Sequence, residues 1–396
     1  MGRITKLVFM LLFALCLLTS CWDRTEIEEI GFVIAAAVTT AESLEDDSEF
    51  DIGNDKLALT YQVAIPSRMA GGAEEAQEDR PFYTVKTTER SNFGANRNIP
   101  SRRSRLMNYE HLKVVLLEDD LIEKDLLKYA LDFFIRDHEM RRNTEVFVVD
   151  GDSSNILKED RPPDPLTGLA IMSTAENEIR DLSMLDIKTI SDITNALLNN
   201  NNFVVPRLTE RQGTSYRIRG GGIFSGDGKF MDWLDDEMTI GYKLLEGNMN
   251  NGVVETTLND EDEKLFVFET SRMTRNITVD TSGPVPSFHV NLKAEGPVVE
   301  SWIEDEDTVR PEFLNKMEDA VEAYMTDHST KTAVFMQNEL YLDIFGLIEE
   351  LRIQDHSLWK ELKDDWDGPE GIFREVDFSI SADVKIRHYM TKERVF

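Results

Sequence analysis

His111-Leu-Lys-Val-Val-Leu-Leu117 is an apolar run whose length and composition suit a buried strand. Residues 121–135 follow it with Leu127 and Leu131 at helical spacing, so a helix is expected next. Residues 144–149 then form a second apolar run that suits a buried strand. Because a strand, a helix and a strand in succession require a crossover connection, the N-terminal region is predicted to be α/β.

Further elements are predicted before and after this strand–helix–strand unit. Strands are expected before it at residues 30–40, 56–65 and 82–87, the middle one alternating apolar and polar positions. After it, Arg161-Pro-Pro-Asp-Pro165 predicts a rigid break, and the four asparagines at 199–202 suggest a linker. We therefore predict an N-terminal α/β region over residues 21–205, with a sub-boundary near residue 162.

A C-terminal α+β domain is expected over residues 206–396. Its strands are predicted at residues 216–224, 229–233, 252–258, 264–277 and 285–300. Arg310-Pro311 opens a long helix whose apolar stripe continues through Leu340, Ile344 and Ile348, with a break near residues 328–332. In the final strand Phe378, Ile380, Ala382, Val384 and Ile386 face one side. An antiparallel sheet covered by the long helix accounts for this pattern, so the whole chain is predicted to be of mixed α/β and α+β class.

The first twenty residues predict a secretory signal peptide. Arg3 and Lys6 precede an apolar run at residues 7–18, which is shorter than the roughly 20 residues that a membrane-spanning helix needs. Leu18-Thr-Ser-Cys21 resembles the bacterial lipobox, so Cys21 is predicted to be the lipidated first residue of the mature chain. The only other cysteine, Cys16, lies within the signal, which leaves no thiol for a disulfide or a metal site.

The charge balance restricts the partners. The net charge of −32 becomes −34 once Arg3 and Lys6 leave with the signal, and such a surface repels nucleic acid and anionic lipid headgroups. Attachment to the outer face of the membrane is therefore assigned to the lipid on Cys21. The acidic runs, including the one at residues 42–51, are interpreted as solvated loops.

No pattern predicts catalysis, a metal site or a bound cofactor. The six histidines are scattered without metal-ligand spacing, and Gly222 to Lys229 fits a hairpin turn rather than a phosphate loop. Asp150-Gly-Asp152 opens like a calcium loop but lacks its later ligands. Acid pairs such as Asp235-Asp236 are expected by chance in so acidic a chain. The sequence therefore argues against an enzyme.

Several segments in order resemble one family. Cys21-Trp-Asp-Arg-Thr-Glu-Ile27 resembles the mature start of the Ger(x)C lipoproteins, the C subunits of spore germinant receptors. Residues 111–117 and Leu131-Asp-Phe-Phe-Ile-Arg-Asp137 are similar to that family's strand–helix unit. The remaining segments resemble its C-terminal domain: Gly222-Ile-Phe224, Lys229, Trp233-Leu234, Gln337, Leu342-Asp-Ile-Phe-Gly346, Trp359-Lys360 and Trp366.

The resemblance implies a non-enzymatic subunit of a nutrient receptor in the spore's inner membrane, beside two integral-membrane subunits. Direct binding of the nutrient is not implied, and Asp343 is expected to act as a cap or an ion-pair partner. Two other classes stay open: a solute-binding lipoprotein of a transporter, which would need two similar lobes around a cleft, and an exported enzyme.

Overall fold

The computed structural model describes residues 30–41, 57–69, 80–89, 91–102, 105–159, 164–211, 215–247, 249, 251–258, 264–303 and 310–389, together with residues 2 and 5. The predictions for the signal peptide (1–20), Cys21, the acidic run at 42–51 and the break near residue 162 lie outside the described residues or at their border.

The described strands form two sheets. They are β1 (Ile30–Thr40), β2 (Leu57–Ala64), β3 (Phe82–Glu89), β4 (Leu106–Asn108), β5 (Val114–Glu118), β6 (Glu145–Asp150), β7 (Phe203–Arg211), β8 (Ser215–Phe224), β9 (Phe230–Leu234), β10 (Val253–Thr257), β11 (Leu265–Glu269), β12 (Arg272–Asp280), β13 (Ser287–Ser301) and β14 (Asp377–Tyr389).

The described α-helices cover and connect these sheets. They are α1 (Pro66–Met69), α2 (Asn92–Arg102), α3 (Asp119–Glu123), α4 (Leu127–Arg136), α5 (Ser153–Ile156), α6 (Thr167–Ala175), α7 (Ile190–Asn199), α8 (Asp236–Glu246), α9 (Pro311–Phe335), α10 (Leu347–Gln354) and α11 (His356–Leu362).

The first sheet has the strand order β3-β2-β1-β5-β6-β7-β8-β9, with β4 paired to the start of β1. Strands β1, β5, β6 and β7 are parallel neighbours, which confirms the crossover predicted from the run at 111–117. β5 and β6 are buried at four consecutive positions each, because both faces of a parallel sheet are covered. The outer strands on both sides pair antiparallel.

The connection between β5 and β6 differs from the prediction. One helix was expected over residues 121–135, but the structure has two, α3 and α4. Asp125 lies between them with φ = 57°, a left-handed conformation that ends α3. The apolar spacing of Leu127 and Leu131 nevertheless belongs to α4, as predicted, and both side chains are fully buried.

The second sheet has the order β10-β11-β13-β12, and β14 also pairs with β13. The mixed fold class is confirmed, with one difference: β14 is parallel to β13, whereas an antiparallel sheet was expected. The chain reaches β14 only after α9, α10 and α11, and a connection through helices is what a parallel pair requires.

The long helix begins as predicted, with Pro311 in its first turn, and packs against β14 and α8. The break expected near residues 328–332 is wrong, because α9 is continuous to Phe335 and then passes into a π-helical turn, Met336–Leu340. Tyr341 then adopts φ = 58° and ends the helix. The stripe predicted through Ile344 and Ile348 is therefore not continuous, and Ile348 belongs to α10.

The two sheets share one apolar cluster. Leu185, Val204 and Ile223 from the N-terminal half lie in the same buried cluster as Tyr242 and Phe345. The hydrogen-bonded strands of the first sheet run on through β9 to Leu234, past the boundary placed at residue 205. The division into 21–205 and 206–396 accordingly stays a prediction about folding units.

Candidate functional site

The predicted lipidation site, Cys21, lies outside the described residues. The described chain nearest to it begins at Ile30, nine residues further along. Ile30 begins β1 and pairs in parallel with Leu106 of β4. It also lines a depression of about 510 Å³ that is bounded by α2, β4 and the turn after α4. The first described strand therefore starts at the edge of a surface cleft.

This N-terminal cleft consists of two adjoining depressions. The second has a volume of about 610 Å³ and lies between α2 and α4. Both depressions are lined by Phe93, Phe133, Asp137 and His138. The side chains of Phe93 and Leu106 are 53% and 58% exposed, so the cleft presents apolar surface to solvent.

Aromatic rings link this cleft to the sheet. Tyr61 of β2 packs on Tyr109 with ring centroids 5.5 Å apart, and Tyr109 packs on Phe133 at 5.9 Å. Both tyrosine hydroxyls donate to Oδ1 of Asn96 on α2, over 2.8 and 2.5 Å. Burial raises the pKa of Tyr61 well above its usual value, so its hydroxyl stays protonated and donates. α2 is thus held in a fixed position over the sheet.

The residues of the Leu342–Gly346 motif form a second site, where the two halves meet. Asp343 is buried, and its carboxylate accepts from three donors: Phe345 N at 3.0 Å, Ile348 N at 2.8 Å and Trp366 Nε1 at 3.1 Å. Burial raises the pKa of Asp343, and these hydrogen bonds oppose the rise. The predicted role as a cap matches the two backbone donors around α10.

Asn202 joins this junction from the N-terminal half. Its Nδ2 donates to the backbone oxygen of Asp343 at 3.1 Å and to Oδ2 of Asp367 at 2.9 Å. Its Oδ1 accepts from Gly226 N at 2.9 Å. Burial, with the charge of Asp343 as the next cause, raises the pKa of Asp367 to about 6. The asparagine tract was expected to be a linker, and here its last residue forms hydrogen bonds between the two halves.

Sequence reasoning identified Asp343 and Trp366 but missed Asn202, Asp367 and a second contact between the halves. The second contact is an ion pair from the ammonium of Lys243 in α8 to Asp186. Lys243 is almost fully buried, whereas the Asp186 side chain is 37% exposed. Apolar spacing carries no signal for such pairs, because their partners lie 57 residues apart along the chain.

The acids considered for catalysis have structural contacts. Asp235 caps α8 by accepting from Met238 N at 2.8 Å, and Asp236 accepts from Arg217 and Arg219 at 3.2 and 3.1 Å. Asp152 caps α5 through Ser154 N and Asn155 N. Gly228, at φ = 81°, lies in the turn between β8 and β9, which confirms the hairpin.

Over the described ranges, no three His, Cys, Asp or Glu side chains are grouped so that they could hold a metal ion. None of the helices in that part of the chain is both long enough and apolar enough to cross a bilayer.

Comparison with known families defines the class of protein. Residues 23–210 match the model described as spore germination protein N-terminal domain, and residues 219–390 match the one described as spore germination B3/GerAC-like, C-terminal. The two models together cover most of the chain, which therefore belongs to the GerAC-like family of spore germination proteins.

Curated relatives agree over nearly the full length. The chain is 24% identical to spore germination protein YndF of Bacillus subtilis (strain 168) and 24% identical to spore germination protein B3 of the same strain. Each alignment covers 98% of this chain and 97% of the relative. Spore germination protein A3 of that strain is 23% identical, with 95% of both chains covered.

A solved structure has the same fold. The crystal structure of the GerBC protein superposes with a TM-score of 0.57 at 19% identity, covering 91% of this chain and 99% of that one. This structure confirms the mixed fold class, and the family models confirm the resemblance to the GerAC-like germination proteins.

Proposed function

We propose that this chain is a non-catalytic, lipid-anchored subunit of a spore nutrient germinant receptor. In this proposal a lipid on Cys21 tethers it to the outer face of the cell membrane, which corresponds to the inner membrane of the spore. There it acts in assembly or signalling beside two integral-membrane subunits. The observation that carries the proposal is the match to the germination models from residue 23 to residue 390, which begins two residues after the predicted lipidated cysteine.

A tether supports such a role physically. Confinement to the membrane plane raises the effective concentration of the domain near membrane partners without any new contact. The mature chain carries a net charge of −34, so an acyl anchor contributes attachment that the overall charge does not.

The contacts of the acidic residues support a non-catalytic role. Asp152, Asp235 and Asp236 are engaged in capping and ion pairs, and Asp343 is enclosed among three donors. A general acid or base needs a reachable proton and a place for substrate beside it, and these carboxylates serve neighbouring backbone and side chains instead.

The solute-binding alternative gains no support. It requires two similar lobes, whereas among the described residues the first sheet has nine strands with a parallel centre and the second has five strands that are mostly antiparallel.

The test is germination of spores that lack this gene, complemented with wild type, Cys21→Ala or Cys16→Ala, over a panel of amino acids and sugars. Cys16→Ala is the matched control, because it removes the other cysteine of the chain and leaves the lipobox intact. We expect wild type and Cys16→Ala to restore the response to particular nutrients and to incorporate labelled palmitate.

Cys21→Ala should restore neither the response nor the label, and the protein should leave the membrane fraction. A Cys21→Ala protein that is still labelled and membrane-bound would refute the anchor. A normal response of the deletion strain to every nutrient, with no defect in receptor assembly, would count against the receptor role.

A further inference from the structure

We propose that the surface formed by Phe93, Arg97 and Leu106, here called the Arg97 face, binds the anionic phospholipid surface and fixes the orientation of the domain on the membrane. This rests on the proposed function, because the lipid on Cys21 is what would bring the face to the bilayer.

Charge singles out this segment. Residues 90–109 contain five arginines (Arg90, Arg97, Arg102, Arg103 and Arg105) and no aspartate or glutamate. The whole chain has 43 basic and 75 acidic residues, so this stretch is opposite in sign to the net charge of the chain. An orientation that turns this segment toward the lipid would therefore lessen the repulsion between the net-negative chain and anionic headgroups.

Exposed apolar groups accompany the charge. Phe93 and Leu106 are both more than half exposed and line the same depression as Arg97. The Arg97 guanidinium lies 5.0 Å from the centroid of the Phe93 ring. A basic group beside aromatic and aliphatic side chains is the pattern of surfaces that insert into the headgroup region, where rings bury and arginines meet phosphates.

The position of the tether points the same way. Ile30 lines this depression and is the ninth residue after Cys21. Even fully extended, nine residues reach only about 30 Å. A lipid on Cys21 would therefore keep this edge of the domain within about 30 Å of the headgroups.

Two of the acids that line the same cleft are engaged by neighbours. Asp132 accepts from Arg136 Nε at 2.7 Å, and Asp137 accepts from Glu139 N at 2.9 Å with His138 Nδ1 3.9 Å away. Glu139 also lines the cleft. Arg97, which lines the cleft from α2, is exposed to solvent.

The positive charge of the segment and its short distance from Cys21 favour lipid over a protein partner. A protein partner could bind anywhere on the domain, whereas a headgroup surface acts only on what the tether holds near it. A face recognised by a membrane subunit instead is the alternative that the following experiment separates.

The probe is a set of vesicles made either of phosphatidylcholine alone or of phosphatidylcholine with an equal amount of phosphatidylglycerol. The protein is the mature chain, residues 21–396, with Cys21→Ser so that no lipid contributes. We expect it to float with the phosphatidylglycerol vesicles only, and raised salt should release it.

The variant Phe93→Ser with Arg97→Gln should bind these vesicles about tenfold less, since one arginine near an anionic surface already accounts for about fivefold. Its matched control is Ile353→Ser with Arg352→Gln, the same kinds of change on the exposed surface of α10. Circular dichroism confirms that each variant is folded. Equal binding by both variants, or no binding by the parent protein, would overturn the proposal.

A site-specific readout uses the absence of other thiols. In the Cys21→Ser background, Phe93→Cys and Ile353→Cys each carry one thiol for an environment-sensitive fluorophore. We expect a blue shift on phosphatidylglycerol vesicles at position 93 and none at position 353. A shift at both positions, or at neither, contradicts the proposed orientation.

The outcomes separate this inference from the proposed function. Labelling of Cys21 and nutrient response test the receptor role, while the vesicle experiments use unlipidated protein and need neither. If germination fails in the Phe93→Ser, Arg97→Gln strain while the purified parent protein ignores vesicles, the face binds a membrane subunit and the lipid proposal is wrong.

Discussion

The indole Nε1 of Trp366 donates a hydrogen bond of 3.1 Å to Oδ2 of Asp343, and both side chains are buried. The pair connects the end of the helical segment after α9 to the turn that precedes β14, at the place where Asn202 arrives from the N-terminal half. A buried carboxylate is tolerated here because three donors surround it.

We expect Asp343→Ala to lower the free energy of unfolding by about 3 kcal/mol or more, because it leaves buried donors without an acceptor. Asp343→Asn keeps one carbonyl oxygen and should cost less. Urea unfolding followed by circular dichroism measures both. The control is Asp365→Ala, at an exposed carboxylate nearby. If both variants lose the same free energy of unfolding, the buried hydrogen bonds of Asp343 do not stabilise the fold.

Glu145 should make stability depend on pH. Burial, followed by the charges of Glu176 and Glu178, raises its pKa from 4.5 to about 7, and its Oε2 has no hydrogen-bond partner among the described residues. Below pH 4.5 both folded and unfolded chains hold the proton. Between pH 4.5 and 7 the unfolded chain releases it first, so the group destabilises the fold increasingly as pH rises.

Glu145→Gln should therefore have no advantage at pH 4 and should be more stable than wild type by roughly 1–3 kcal/mol at pH 8. Chemical denaturation at several pH values gives the difference curve, with Glu312→Gln on the surface of α9 as the control. An advantage that is constant with pH would rule out ionisation of Glu145 as the cause.

Gly241 lies where α8 packs directly against the backbone of α9. An added Cβ would lie 2.2 Å from the backbone oxygen of His328 and 2.2 Å from Oγ1 of Thr332, which itself donates to the Met238 oxygen at 3.1 Å. Gly241→Ala must push the helices apart and should cost about 1–3 kcal/mol despite the better helix propensity of alanine. Thermal unfolding tests this.

Gly283→Ala is the matched comparison, because its nearest contact is 3.3 Å away at a single oxygen. If the two alanine variants melt together, the close approach of α8 and α9 is not tight in solution.

Removing Asp186 from its ion pair with Lys243 should lower the stability of the protein more than removing Lys243. Asp186→Ala leaves a buried ammonium without its partner and should cost about 3 kcal/mol. Lys243→Met keeps the apolar stem and leaves a carboxylate that water reaches, so its cost should be clearly smaller. The denaturation midpoints of the two variants measure this difference. An equal loss of stability in both would mean that Lys243 is hydrated rather than buried.

Periodicity in the sequence was enough to predict most of the strands and the fold class. It missed β4 and β7, and the single strand expected over residues 264–277 is two strands, β11 and β12. The run at 111–117 and the alternation from Phe378 to Ile386 became β5 and β14, because burial of one or both faces leaves a direct trace in residue order. The direction of a strand and the positions where helices end left no such trace. The parallel pairing of β14, the turn at Asp125 and the end of the helix at Tyr341 depend on backbone conformations that apolar spacing does not encode.

The sites were predictable only in part. Asp343 and Trp366 were recognisable as motif residues, but nothing in their spacing showed that Asn202 would meet them. The arginines of residues 90–109 can be read from the sequence, but the place of Leu106 beside Ile30 depends on the parallel pairing of β4 with β1, which only the structure supplies.

The position of β1 has a mechanical consequence. β1 is the first described strand after Cys21, the proposed lipidation site, and it lies inside the sheet, with β2 along one edge and β4 and β5 along the other. A pull on residue 30 along the strand would load the hydrogen bonds on both edges together, in shear, instead of peeling them one after another. Tension from the membrane would thus be spread over the centre of the sheet, so the domain could be dragged or rotated without unravelling from its attached end.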